Sequence, residues 1–477
     1  MDFDLTRART PIAQSASGWS RLRLCGSRDQ RSGAVADLIT CKALNEPSGR
    51  LRQTPLIHYC RRINPLIFMH LTRQNRWLTV LFASMLAVNC LRAADWPNWR
   101  GPDHNGISKE TGWSDQWPDA GPKINWRAKV GTGFSSVVIS DRRVFTMGNE
   151  NGTETVYCLS VETGKPVWTH SYDCPLDPNL FEGGPTSTPT VDDDSVYTIS
   201  RQGQLFCFDV KDGTIRWQRS LEEIPDIRVP GWGFGGSPLV HKNLLILNVG
   251  EAGLALDKAT GETVWTSASQ DSGYSTPLPF HFKGDDYVAL SSGKNYLAVN
   301  AKTGAELWRH RWMTRFGINA SDPIIQGEHV FISTGYRKGA TLLKWTDGYE
   351  PTEIWKEKTM NNQFNSSVLL DGFVYGIDGD SNSDETTLKC VELMTGEEQW
   401  AYPGIGSGAL MAADGKLIVL SATGELIVAP ASSKSFEPTS RAKVLEGKCW
   451  TVPVLANGRI YCRNAAGDLV SVDVVRD

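Results

Sequence analysis

The feature that most limits what this chain can fold into is a recurring placement of tryptophan behind a turn. In "LDKATGETVW", Leu256 to Trp265, an apolar run ends in Asp257, a Thr260-Gly261 turn follows, and three spacers lead to an indole. The same arrangement ends "SVETGKPVW" at Trp168, "DVKDGTIRW" at Trp217, "NAKTGAELW" at Trp308 and "ELMTGEEQW" at Trp400. A looser copy, "WTDGYEPTEIW", ends at Trp355, and "GPKINWRAKV" offers Trp126 with no turn before it. Successive members lie 42 to 49 residues apart, a period that belongs to solenoids and propellers.

Between the tryptophans run short alternating or β-branched stretches broken by Gly, Asp and Asn, as in "STPTVDDDSVYTISRQGQLFCFDVKDGTIRW". Such a unit reads as four strands separated by turns, one propeller blade, and no helical spacing of apolar residues competes with it. After Trp400 a seventh unit follows with Val444 in the tryptophan's place, and an eighth, "CWTVPVLANGRIYCRNAAGDLVSVDVVRD", stops after its third strand. The missing outer strand is available around Trp126, so strand exchange between the two ends predicts a closed eight-bladed, all-β propeller without open sheet edges between first and last blades. Seven blades is the alternative. Trp126, Trp168, Trp217, Trp265, Trp308, Trp355 and Trp400 are expected to be structural, each wedging against the neighbouring blade.

The Asp-x-x-Thr-Gly-x-x-x-Trp unit resembles the tryptophan-docking repeat of the pyrroloquinoline-quinone-like propellers, which include the quinoprotein dehydrogenases and the outer-membrane assembly factors of the BamB type. "DWPNWRGPDHNGIS", "GWGFGGSPLV" and "TVPVLANGRIY" also resemble exported bacterial proteins of this repeat family. The resemblance covers about residues 120–477. It implies a fold rather than one function, because this repeat serves cofactor enzymes and cofactor-free scaffolds alike.

With 40% apolar and 21% charged residues and a net charge of −4, the chain has an ordinary globular composition and offers no nucleic-acid surface. Residues 1–68 differ: 11 Lys/Arg against 5 Asp/Glu and no repeat predict a disordered extension, or upstream sequence included by a wrong start. From Met69, "MHLTRQNRWLTVLFASMLAVNCLRAADWP" places arginines at 73 and 76 before an apolar stretch from Trp77 to Val88. That is the layout of a secretory signal over 69–94, with cleavage near Ala93 or Ala94 and a periplasmic or secreted product; an uncleaved anchor is the alternative. Residues 95–120 then form an N-terminal extension of the mature protein, and 121–477 the propeller.

Six cysteines fall in the exported part. Cys158, Cys207 and Cys390 share a third-strand position, which suits small buried fillers, while a bridge between Cys449 and Cys462 stays open. Haem-attachment, zinc-helix, phosphate-loop and nucleophile-elbow motifs are absent, and the six histidines after the signal form no local metal-ligand pair. No catalytic or metal-binding residue is therefore assigned. The quinoprotein enzymes resembled here hold a quinone and a calcium in an axial funnel beneath a disulfide between adjacent cysteines. This sequence has no Cys-Cys pair, and its short blade connections predict little material for funnel walls.

A ligand or partner is expected at the axis, on the loops leading into each inner strand. The candidate face comprises Phe134, Arg228, Trp232, Phe234, Tyr274, Arg315, Asn319, Asp322, Asn365, Lys448 and Trp450, with Asn362 nearby. Asp322 stands where sister blades have Ser or Thr, so a hydrogen bond to a turn and calcium binding are both open to it. The expected function is an exported, non-catalytic binding or scaffold module with a protein or other macromolecular partner in the cell envelope. We expect no cofactor, no nucleic acid, no membrane span in the mature chain and a monomer. The alternative is a dehydrogenase oxidising an alcohol or sugar, with pyrroloquinoline quinone (PQQ) and calcium as cofactors.

Overall fold

Strand burial separates the inner positions of each repeat from the outer ones. Ser195–Ile199 is buried at every residue, whereas Pro166–Asp173 buries only its tryptophan fully. A sheet stacked between two others needs apolar side chains on both faces of its inner strands, and only its outermost strand meets water. The computed structural model describes residues 94–476 except 178–180, 268–271, 347–349, 382 and 384. It contains eight antiparallel sheets, here called blades 1 to 8, spanning residues 138–173, 190–220, 239–266, 278–311, 324–357, 368–403, 409–443 and 454–473. Apart from one short 3-10 turn at Leu221–Glu223, the described residues contain no helix. Apolar clusters lie between blades; one joins Tyr197, Leu205 and Trp217 of blade 2 to Leu245, Leu254 and Leu256 of blade 3.

Ring closure follows the expected strand exchange. Ile124–Lys129 pairs antiparallel with Asp468–Asp473, with Trp126 opposite Ser471, and so supplies the outer strand of blade 8. Arg463 of the same blade is fully buried and donates to the carbonyls of Gly131, Ser135 and Met147 and to the Thr146 hydroxyl, fastening the last blade to the first. Burial pulls its guanidinium down to about 9.

The repeated tryptophans dock as wedges, in a specific way. Trp126, Trp168, Trp217, Trp265, Trp355 and Trp400 each donate the indole N–H, at 2.7–3.0 Å, to a carbonyl of the following blade: Val161, Val210, Lys258, Ala301, Leu393 and Ser432 respectively. Except for Trp400, which packs on Phe436, the ring lies on the turn glycine of that blade. A Cβ at Gly261, whose φ is +74°, would stand 2.8 Å from the Trp217 ring. Gly261 thus serves two needs, a left-handed turn and room for an indole. The turn facing Trp308 includes residues 347–349, outside the described ones. In all seven tryptophan-bearing outer strands the pairing register shifts just before the indole, as between Cys158 and Leu159 opposite Trp168 and Pro166. The bulge turns the ring sideways toward the next blade. Blade 7, with Val444 in place of tryptophan, pairs its outer strand without a shift.

Residues 94–121 are built into the ring. Trp96 bridges Ile139 of blade 1, the Pro97 carbonyl accepts from Val191 of blade 2, and Ile107–Ser108 lies parallel to the inner strand Ala409–Ala413 of blade 7. The Glu110 carboxylate accepts the backbone N–H of Gly458, in blade 8, at 2.9 Å. With Trp99 and Arg100 reaching Asp322 and Ser367 at the starts of blades 5 and 6, the segment touches blades on both sides of the axis. All six cysteines among the described residues are buried thiols, Cys449 and Cys462 included. The extension expected over 1–68 and the signal expected over 69–94 lie outside the described residues, apart from Ala94.

Candidate functional site

Connections entering the inner strands converge on the axis and form a funnel of about 430 Å³. Aromatic side chains make most of its wall. Phe134, Phe181, Trp232, Phe364 and Trp450 form one packed group: Phe134 stacks on Trp450 at 5.7 Å, Phe181 meets Trp450 edge-on at 5.0 Å and Trp232 at 5.9 Å, and Phe364 lies 5.0 Å from Trp450. Across the funnel, Phe316 meets Tyr336 edge-on at 5.2 Å. The expectation of little wall material is corrected: large side chains on the connections between blades build the walls. Blade 7 gives no lining residue, since only residues 404–408 connect it to blade 6.

The floor comes from the N-terminal segment. Trp99 lines the funnel and donates its indole N–H to Asp322 Oδ2 at 2.7 Å, while Asp322 Oδ1 accepts the Thr276 N–H at 2.8 Å. Arg100 approaches the same carboxylate at 3.9 Å and donates to the Ser367 carbonyl at 2.6 Å. Burial pushes the Asp322 carboxyl up and the Arg100 guanidinium down, and each is opposed by the charge of the other. Asp322 thus makes the expected hydrogen bond to a neighbouring backbone.

That bond belongs to a series. The Ser136 N–H donates to Thr188 Oγ1, the Thr188 N–H to Ser237 Oγ, the Ser237 N–H to Thr276 Oγ1, the Thr276 N–H to Asp322 Oδ1 and the Asp322 N–H to Ser366 Oγ, all within 2.8–3.0 Å. Ser136 Oγ donates to the Val452 carbonyl at 3.0 Å. A short side chain at one position in each of blades 1 to 6 thus satisfies the backbone of a neighbour, and Asp322 is the charged member of this partial throat ring.

Of the sequence candidates, Phe134, Trp232, Tyr274, Asp322, Asn365 and Trp450 line the funnel. Lys448 stands at the rim, 2.6 Å from Glu182 and 4.5 Å over the Trp450 ring. Phe234 and Asn319 are corrected: Phe234 packs in the core between blades 2 and 3, and Asn319 is buried with its amide donated to the Ser292 and Trp312 carbonyls. Asn362 likewise gives its amide to the Ile377 carbonyl. Arg228 and Arg315 are outside the lining, with Arg315 over the outer Phe316 ring at 5.3 Å. Sequence reading missed Trp99, Phe181, Arg201, Phe316, Tyr336 and Phe364. Phe181, Phe316 and Phe364 sit in the loops that enter inner strands; Arg201 and Tyr336 come from loops between second and third strands of their blades.

Within the wall, Arg201 is buried and 3.5 Å from Asp177. Beyond it Glu154 is fully enclosed, accepts the Tyr172 hydroxyl at 2.6 Å, and is pushed up to about 7 by burial. Among the described residues no three His, Cys, Asp or Glu side chains gather where a metal ion could sit.

A family model described as outer membrane protein assembly factor BamB matches residues 152–402. The chain is 24% identical over 204 residues, 42% of its length and 48% of the relative's, to the outer membrane protein assembly factor BamB of Kangiella koreensis. It is 23% identical over 211 residues, 41% of its length and 32% of the relative's, to the quinoprotein alcohol dehydrogenase PedH of Pseudomonas putida. These matches span half or less of either relative. Among solved structures, the quinohemoprotein alcohol dehydrogenase of Comamonas testosteroni superposes with a TM-score of 0.60 at 12% identity, over 83% of this chain and 82% of that one; at that identity the likeness concerns the fold.

Proposed function

Since the chain belongs to the pyrroloquinoline-quinone-like repeat family whose model is described as outer membrane protein assembly factor BamB, we propose that it is an exported, non-catalytic binding module that holds a protein partner in the cell envelope at its funnel. The observation that carries this reading is the aromatic wall around Trp450, five rings packed on one another with Trp232 and Phe181 still partly exposed. Rigid aromatic anchors in a preformed concavity are what a binding hot spot requires. A base for chemistry would need a carboxylate free to take a proton, and the carboxylate lining this funnel has its oxygens engaged by Trp99 and Thr276 with Arg100 beside them.

The same residues fit PQQ with calcium poorly. Flat rings would accept a planar quinone, but calcium needs several oxygen ligands. Asp322 is the one carboxylate among the described lining residues, it accepts from Trp99 and Thr276 with Arg100 beside it, and Asn319 stands outside the lining.

The test is capture of envelope proteins by the tagged propeller and by a Trp232→Ala/Trp450→Ala variant. Loss of a specific partner in the variant is expected; equal recovery overturns the reading. Incubation with PQQ and calcium provides the counter-test: quinone absorbance that stays with the protein through gel filtration would restore the dehydrogenase alternative.

A further inference from the structure

From residue 95 onward the chain carries 35 Lys/Arg against 48 Asp/Glu, a strongly acidic balance. Against it, six cations collect where blade 4 passes into blade 5: Arg311, Arg315, Arg337, Lys338, Lys356 and Lys358. Trp312 is the platform. It is fully buried, its N–H donates to Thr334 Oγ1 at 2.8 Å, and the ammonium groups of Lys338 and Lys356 lie 4.5 and 5.2 Å from its ring centroid. Burial and the charges of Lys356 and Lys358 hold the Lys338 ammonium below its ordinary range, so the cluster is close enough for its charges to be felt mutually. Among the described residues, Lys356 alone of the six is in an ion pair, with Glu353 at 3.1 Å. Like charges left together repel at a cost to stability, and such a patch is complementary to an opposite charge on a partner.

The ledge adjoins the funnel. Met313 and Phe316, 44% and 60% exposed, alternate with Arg311 and Arg315 along one loop, and Phe316 is also funnel wall. We propose that this basic ledge receives an acidic, extended segment of the partner polypeptide, which lies across blade 5 as an adjoining apolar side chain enters the funnel. The proposal rests on the binding reading above and adds the chemistry of the partner. A narrow segment fits better than an anionic bilayer. Loops on the same face carry Glu182, Glu222, Glu223, Asp226 and Asp380, and a plane pressed on the face would meet those carboxylates too. The cations are also drawn down: Lys338 and Lys356 lie over an indole, and Lys358 donates to the Arg337 carbonyl.

The test uses the purified propeller and a fluorescent peptide in which glutamates alternate with glycines around one phenylalanine. A glutamine counterpart and phosphatidylglycerol vesicles serve as comparisons. The glutamate peptide is expected to bind, with an affinity that falls about tenfold from low to high salt and by about as much in an Arg311→Gln/Arg337→Gln/Lys358→Gln variant. All three positions are exposed, so the variant's melting temperature should match the parent's. Equal binding of the glutamine peptide, undiminished binding by the triple variant, or sedimentation with vesicles in place of peptide binding overturns the proposal. The Trp232→Ala/Trp450→Ala variant separates the two readings. If it loses the peptide and the triple variant does not, the funnel stands and the ledge falls; the reverse leaves the ledge and removes the funnel.

Discussion

At the scale of single residues, the pairing of an indole with the glycine of the next blade is the unit from which the ring is assembled. Alanine at Gly261 meets two obstacles, a φ of +74° and the Trp217 ring 2.8 Å from its Cβ. We expect Gly261→Ala to cost about 1–3 kcal/mol by overpacking and strain, measured as a fall in the denaturation midpoint, and Gly284→Ala, whose Cβ would meet nothing within 4 Å, to cost less. Glu154 sets a pH dependence. Its folded value of about 7 lies above the ordinary 4.5. Its contribution is therefore fully present below about pH 4.5 and is lost as pH rises toward 7, because the unfolded chain ionises there while the folded one resists. Glu154→Gln should flatten stability over that interval; an unchanged slope in denaturation midpoints between pH 4.5 and 7 would assign it to other groups.

At the scale of the element, the tryptophans were legible because their spacing is local, whereas the bulge that aims each of them was not. A one-residue offset such as Val167, between Pro166 and Trp168, leaves no mark in composition. The throat ring was half legible. Asp322 stood out against Ser and Thr in its sister blades, but the partners that decide its role, Trp99 and Arg100, come from a stretch with no repeat. Those partners can be separated experimentally. Asp322→Ser keeps an acceptor for Thr276 yet leaves Arg100 without a carboxylate, and Asp322→Ala removes both. Both should destabilise, by about 3–5 kcal/mol where a buried guanidinium loses its partner, with Asp322→Ala the worse of the two in thermal unfolding. Equal stability of Asp322→Ala and the parent would show that the ring is decorative. Among the funnel candidates, the aromatic and charged residues of the inner-strand loops were found where the loop aligns with its sisters. Phe234 and Asn319 were misread because a sequence does not tell which side of a loop faces the axis.

For the whole molecule, blade number and closure could be read from the ends of the chain because a missing outer strand at one terminus has a matching spare at the other. What could not be read is that the segment before the first blade comes beneath the funnel, where Trp99 forms its floor. Closure also carries a liability. A chain beginning at Gly131 would lack Ile124–Lys129 and bare the edge of Asp468–Asp473. Such an edge invites pairing with other molecules, so we expect this truncation to elute as aggregate in gel filtration and the parent as a discrete species. Monomeric elution of the truncated chain would mean that another segment covers that edge.

The order in which the closing pieces are made has its own consequence. Residues that seal the wheel leave the ribosome before any blade exists, and the strand that receives them, Asp468–Asp473, is synthesised at the far end. With partners so distant along the chain, the loop entropy of joining them is met late. Folding to completion is thereby deferred until synthesis is finished, and until then the polypeptide stays an open thread.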